Sequence, residues 1–257
     1  MSIILALFNQ SGGVGKSTLT MNLGHQFAQR KRRVLLVDMD PQASLTTFMG
    51  LDPEQEDLTI YNALVDNEQT GLVMDVPICA DFHGVDLCPA NINLSAAELA
   101  LVTADMRDVR LKDALEPVCD RYDIILIDCP PSLGLLSYIS LVAATHVLVP
   151  IQTQFKAFAG TNLLLNTLAR VKRRANRRLT VAGFVPTLFD ARRSQDDRTL
   201  RAIRERFSNV APIYDPIPWS TGLADAAEAR LPLALYDKRH KAIASIDAIV
   251  TKLDELL

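Results

Sequence analysis

Apolar residues gather in six short runs along this chain, at 3–8, 33–37, 85–88, 124–127, 146–151 and 180–185. The runs are near-continuous rather than alternating, the pattern of strands covered on both faces of a parallel sheet. Stretches with apolar positions at helical spacing separate most of them, beginning with 19–29. Strand and helix in alternation predict an α/β fold: a doubly wound, mostly parallel sheet flanked by helices. Residues 52–82 show the weakest periodicity and read as loops and short helices. No internal repeat, low-complexity tract or linker divides the chain. Its 257 residues suit a single domain, 1–257, with a sizeable core.

One segment tests that reading. From Cys129 to Phe155 there is no Asp, Glu, Lys or Arg, a length that could span a bilayer. Pro130, Pro131, His146 and Pro150 interrupt it, so the expectation is a helix over 133–143 and a buried strand over 145–151, with no membrane span. The first apolar run is short and follows no basic segment, so no secretory leader is expected. Cys79, Cys88, Cys119 and Cys129 have no CxxC spacing and read as reduced cysteines of a cytoplasmic protein.

Between the first strand and the first helix stands Ser11-Gly12-Gly13-Val14-Gly15-Lys16-Ser17-Thr18. Glycines let backbone N–H groups turn inward around a phosphate, and a helix N-terminus adds partial positive charge. In this arrangement Gly12 to Thr18 cradle phosphates, Lys16 reaches the β- and γ-phosphates, and the Ser17 hydroxyl holds Mg²⁺. Two further strands end in acids. Val34–Val37 runs into Asp38-Met39-Asp40-Pro41-Gln42, and 124–127 runs into Asp128-Cys129-Pro130-Pro131-Ser132. An apolar strand closing on Asp is the Mg²⁺-side acid of a phosphate-loop nucleotidase. Asp128 takes that role through a bound water, because Mg²⁺ retains waters. Asp40 is the candidate to orient the attacking water, and Asp38 supports the metal region. The expected cofactors are ATP and Mg²⁺.

With these residues in view, the chain resembles the deviant Walker-A ATPases of ParA and MinD type. The matching segments are 9–18, 34–42, 123–134 and 149–152, with weaker matches at 88–99, 189–192 and 217–218. The resemblance implies an ATP-dependent sandwich homodimer with slow hydrolysis stimulated by a partner. It also puts Thr187 and Pro218 near the base. The family's loop opens Lys-Gly-Gly, and that lysine acts across the dimer; here the position is Ser11. A cation acting in trans on phosphoryl transfer is worth roughly 10³–10⁵ in rate, or about 4–7 kcal/mol. Lys156, beyond the strand at 146–151, is the candidate replacement, and Lys156→Ala is expected to abolish ATP-dependent dimerisation or hydrolysis. Serine at this position is similar to the carboxysome-positioning McdA group of the family, which implies a cargo adaptor of McdB type.

Overall charge is −3, but between Leu164 and Arg206 twelve basic residues stand against four acids. Arg173, Arg174, Arg177, Arg178, Arg192, Arg193, Arg198 and Arg201, with Lys238 and Arg239 further on, are candidates to bind double-stranded DNA. Such binding is phosphate contact without sequence preference, and it implies nucleoid association. A chromosome or plasmid partition ATPase shares every feature except the cargo. A MinD-type membrane switch needs a basic amphipathic C-terminal helix. Here Asp247, Asp254 and Glu255 mark the tail's polar face, so its apolar face is expected against the core or a partner. A metabolic kinase or synthetase would not call for the arginines, and an iron–sulfur reductase would need paired cysteines.

Overall fold

The computed structural model describes residues 2–65, 75–154 and 160–257. In β1 (Ile3–Leu7) alternate side chains enter opposite cores: Ile3, Leu5 and Leu7 one, Ile4 and Ala6 the other. Period-two alternation of all-apolar residues is what a sheet covered on both faces requires. The other strands are β2 (Val34–Asp38), β3 (Cys79–Phe82), β4 (Val85–Cys88), β5 (Ile124–Asp128), β6 (His146–Gln152) and β7 (Thr180–Thr187). They lie in the order β3-β4-β2-β5-β1-β6-β7, with every described pairing parallel except β3 with β4. The doubly wound sheet expected from the apolar runs is therefore present.

One core holds α1 (Lys16–Gln29), α2 (Ser44–Phe48), α9 (Thr221–Glu228), α10 (Leu233–Tyr236) and α11 (Ala242–Asp254). The other holds α3 (Ile60–Leu64), α4 (Leu94–Ala100), α5 (Arg110–Cys119), α6 (Leu135–Ala143), α7 (Thr161–Arg174) and α8 (Ser194–Phe207). The uncharged stretch resolves into α6 and β6, and no helix among the described residues is long and apolar enough to cross a membrane. The tail helix α11 buries Ile246, Ile249, Val250 and Leu253. Its acids pair with the end of α1: Arg30 with Asp247 at 2.7 Å and Arg32 with Asp254 at 2.9 Å.

The 52–82 segment is corrected in part. It holds α3, as expected, but also the edge strand β3, which turns into β4 through His83 and Gly84. Both turn residues have positive φ, 55° and 89°, the geometry of a two-residue hairpin.

What positions a ligand is the split between β1 and β5. They are neighbours, yet β1 connects through α1 to β2 on one side, and β5 connects through α6 to β6 on the other. Loops leaving adjacent strands in opposite directions open a crevice at the carboxyl ends.

Candidate functional site

That crevice is a cavity of about 550 Å³. The phosphate loop lines it through Gly12, Gly13, Gly15, Lys16, Ser17 and Thr18. Gly13 and Gly15 have φ of 71° and 84°, left-handed values that side chains resist. They swing the loop into the N-terminus of α1, where unpaired N–H groups and the helix dipole favour an anion. Val14 is buried, and its carbonyl accepts the Thr187 hydroxyl at 2.9 Å, tying the loop to the end of β7. Thr187 lines the cavity; Pro218 does not, although its neighbours Ile217 and Trp219 do. At the loop's head, the Ser11 N–H donates to Asn9 Oδ1 at 2.9 Å, and the Ser11 carbonyl accepts from Lys16 Nζ at 3.1 Å.

The three acids take different places. Asp40 lines the cavity, and its Oδ1 accepts the Gln42 N–H at 3.0 Å. Asp38 does not line it. Its Oδ1 accepts the Asp40 N–H at 3.0 Å, and its Oδ2 accepts the Thr46 N–H and hydroxyl at 2.9 and 2.8 Å. Asp38 thus holds the Asp40 turn from beneath. Asp128 is fully buried, and neither of its oxygens completes a hydrogen bond; the Ser17 hydroxyl lies near enough to favour its anion.

Burial dominates the electrostatics. It lifts Asp38 to about 6, against the pull of Thr46 and Asp40. It lifts Asp128 well above the usual carboxylate range, with the Asp38 charge adding and Ser17 and Lys16 opposing. Burial also lowers Lys16, and Asp128 is the largest influence holding it up. Burial, with the Asp128 charge adding, pushes the Cys129 thiol up to about 12.

These residues fit a magnesium nucleotide. A buried carboxylate with two unpartnered oxygens, beside a lysine and a serine hydroxyl, suits a hydrated cation whose waters would satisfy it. Ser17 and Asp128 would hold Mg²⁺, and Lys16 with the loop's N–H groups would hold phosphate.

The basic residues do not all gather at this end. Arg173 and Arg174 are exposed at the end of α7, and Arg177 and Arg178 between it and the start of β7, at the edge of the sheet remote from the phosphate loop. Arg192 and Arg193 follow the end of β7, on the cavity side, and both pair with Asp190. Arg198 and Arg201 are exposed along α8, and Lys238 and Arg239 are exposed between α10 and α11. Lys156 lies outside the described residues.

Cavity-lining residues that the motifs did not reveal include Asn22, Phe48, Leu188, Trp219, Ser220 and Leu223. They come from four separate segments, so no local spacing joins them.

Residues 2–181 match the family described as an AAA domain. The chain is 38% identical over 242 residues to the sporulation initiation inhibitor protein Soj of Bacillus subtilis, covering 94% of each. It is 37% identical over 237 residues to the chromosome partitioning protein ParA of Caulobacter vibrioides, covering 91% of this chain and 87% of that one. Its fold superposes on cobyrinic acid a,c-diamide synthase from Mycobacterium smegmatis with bound ADP and magnesium. That match has a TM-score of 0.84 at 31% identity over 99% of this chain and 95% of the other. The ATP complex of a Cyanothece McdA variant shares the fold at TM-score 0.87 and 22% identity, over 98% and 96% of the two chains.

Proposed function

Because the chain belongs to the ParA family of ATPases and takes ATP with Mg²⁺ as its cofactors, we propose that it is a DNA-bound switch. ATP clamps two copies into a homodimer, and the dimer binds double-stranded DNA without sequence preference. Slow hydrolysis, stimulated by an adaptor protein on a cargo, releases it. The protein then works in the cytoplasm, on the nucleoid.

The chain's own residues supply the parts. Lys16 and the loop N–H groups neutralise and orient the phosphates; Asp40, at the cavity wall, orients water; Asp38 keeps the Asp40 turn in place. Bound Mg²⁺ contributes positive charge that offsets the phosphates. Dimerisation doubles the basic surface presented to one duplex, which raises avidity steeply. The carrying observation is the joint presence of this phosphate site and an arginine-rich edge. Among the described residues, Arg173, Arg174, Arg177 and Arg178 make no ion pair.

Two readings of the cargo remain in play. Relatives at 36–37% identity are chromosome partitioning proteins and favour a chromosome or plasmid cargo. Ser11 at the head of the loop favours a carboxysome cargo with an adaptor of McdB type. A small-molecule synthetase, the activity named for one structural relative, gives the arginine edge no task. A membrane switch is disfavoured by the buried apolar face of α11.

A mobility-shift assay on random-sequence duplex DNA tests the switch. Retardation is expected with Mg-ATP and not with Mg-ADP or without nucleotide. Equal binding in all three conditions overturns it.

A further inference from the structure

Thr46 belongs to none of the motifs that mark the site and lines no part of the cavity, yet it is fully buried behind one wall of it. Its backbone N–H and its hydroxyl both donate to one carboxylate oxygen, Asp38 Oδ2, at 2.9 and 2.8 Å. The same hydroxyl oxygen accepts the Ala90 N–H at 3.0 Å. An amide N–H can only donate and an ionised carboxylate can only accept, so the direction of both hydroxyl bonds is fixed. The far end is anchored too, because the neighbouring Pro89 carbonyl accepts the Ile60 N–H at 2.9 Å.

From Asp38 the chain of bonds continues to Asp40. Asp38 Oδ1 accepts the Asp40 N–H at 3.0 Å, the Asp40 carbonyl accepts the Ala43 N–H at 2.8 Å, and Asp40 Oδ1 accepts the Gln42 N–H at 3.0 Å. This turn needs a hold. Ala43 has φ of 52°, a left-handed value that a Cβ resists, and α2 starts at the next residue. Thr46, the third residue of α2, pins that helix back onto the end of β2. The strained turn between them is then held closed, with Asp40 at the cavity wall.

We infer that Thr46 is a positioning residue for hydrolysis: its hydroxyl, anchored by Ala90, holds Asp38 so that Asp40 stays in place at the cavity. Thr46 acts through Asp40 and not on the nucleotide. This rests on the reading of Asp40 as the residue that orients water.

The test is a double-mutant cycle on Thr46 and Asp40. It is read by single-turnover hydrolysis at saturating Mg-ATP and by ATP affinity in calorimetry. Thr46→Val keeps the shape and removes the hydroxyl. It lowers the hydrolysis rate about ten- to a hundredfold, the cost of a small misplacement at a reacting group, and leaves ATP affinity unchanged. Thr46→Ser keeps both hydroxyl bonds and restores the rate. In an Asp40→Asn background Thr46→Val causes no further loss, because residues that act as a unit are not additive. Asp38→Asn breaks the same link from the carboxylate side and carries the same cycle if Thr46→Val does not fold. Losses that multiply in the double variant, a parallel loss of ATP affinity, or a Thr46→Ser protein as slow as Thr46→Val would mark a threonine that merely packs, and would overturn the proposal. If Asp40→Asn is slow and Thr46→Val is not, the role of Thr46 alone falls. If Asp40→Asn hydrolyses ATP at the wild-type rate, the reading of Asp40 falls and takes this one with it.

Discussion

Asp38 and Asp128 are cross-strand partners on β2 and β5, buried side by side at the carboxyl end of the sheet, and only Asp38 has its oxygens satisfied. The same two positions thus serve different ends. One carboxylate is spent on its own loop, and the other keeps its capacity for what binds in the crevice.

Asp128→Asn should separate function from stability. Hydrolysis is expected to fall about 10²-fold or more, as when a group positioned at a transition state is removed. The melting temperature of the nucleotide-free protein should not fall, because an unpartnered buried carboxylate costs folding energy. A loss of several degrees in a thermal melt would show that Asp128 has a structural partner.

Lys16→Ala is expected to weaken Mg-ATP binding about 10- to 100-fold by calorimetry, the range for a hydrogen bond to a charged group. The lysine is 7% exposed and held against the Ser11 carbonyl, so little of its charge is spent on water.

How much of this is legible in the sequence follows from where the information lies. The central strands can be read from their apolar runs because both faces are covered. The edge strand β3 escapes that reading: its residues are half-buried or exposed without alternating, and it pairs on one side only. Its signal is the His83-Gly84 turn, a two-residue hairpin loop of φ > 0 character. In the site, the loop and the strand-ending acids are contiguous motifs. Trp219 and Ser220 reach the cavity through the fold, and no spacing announces them. The division of labour between Asp38 and Asp40 is also out of reach, since it depends on Thr46 folding back onto Asp38.

Asn176 carries a stability prediction. Its Nδ2 donates to the carbonyls of Leu141, Val142 and Ala144 at 3.0, 3.1 and 2.6 Å, closing the end of α6. Asn176→Ala should cost about 1–3 kcal/mol in urea denaturation, the penalty for buried acceptors left without a donor.

The arginines at the end of α7 should govern DNA affinity. Replacing Arg173, Arg174, Arg177 and Arg178 with Ala is expected to weaken ATP-dependent DNA binding and reduce its salt dependence. The slope of log K against log salt should shrink by about 0.9 for each phosphate that the variant no longer neutralises. An unchanged slope would place the DNA elsewhere.

Asp190 supplies a pH dependence. The Arg192 guanidinium, at 2.9 and 3.0 Å, holds its carboxyl at about 2, with Arg193 at 3.4 Å assisting. A depressed folded-state value means the anion stabilises the fold above the unfolded value of about 3.9, and that contribution is lost as pH falls toward 2. The stability difference between wild type and Asp190→Asn should be constant above about pH 5 and vanish between about 4 and 2. A difference that persists at pH 2 would trace to packing instead.

The central claim is that ATP joins two copies of this chain. Sedimentation of the Asp40→Ala protein, in which hydrolysis should be slowed, reads it directly. With Mg-ATP the account predicts a species of twice the chain's mass that reverts to one chain with Mg-ADP; a single-chain mass under saturating Mg-ATP would contradict it.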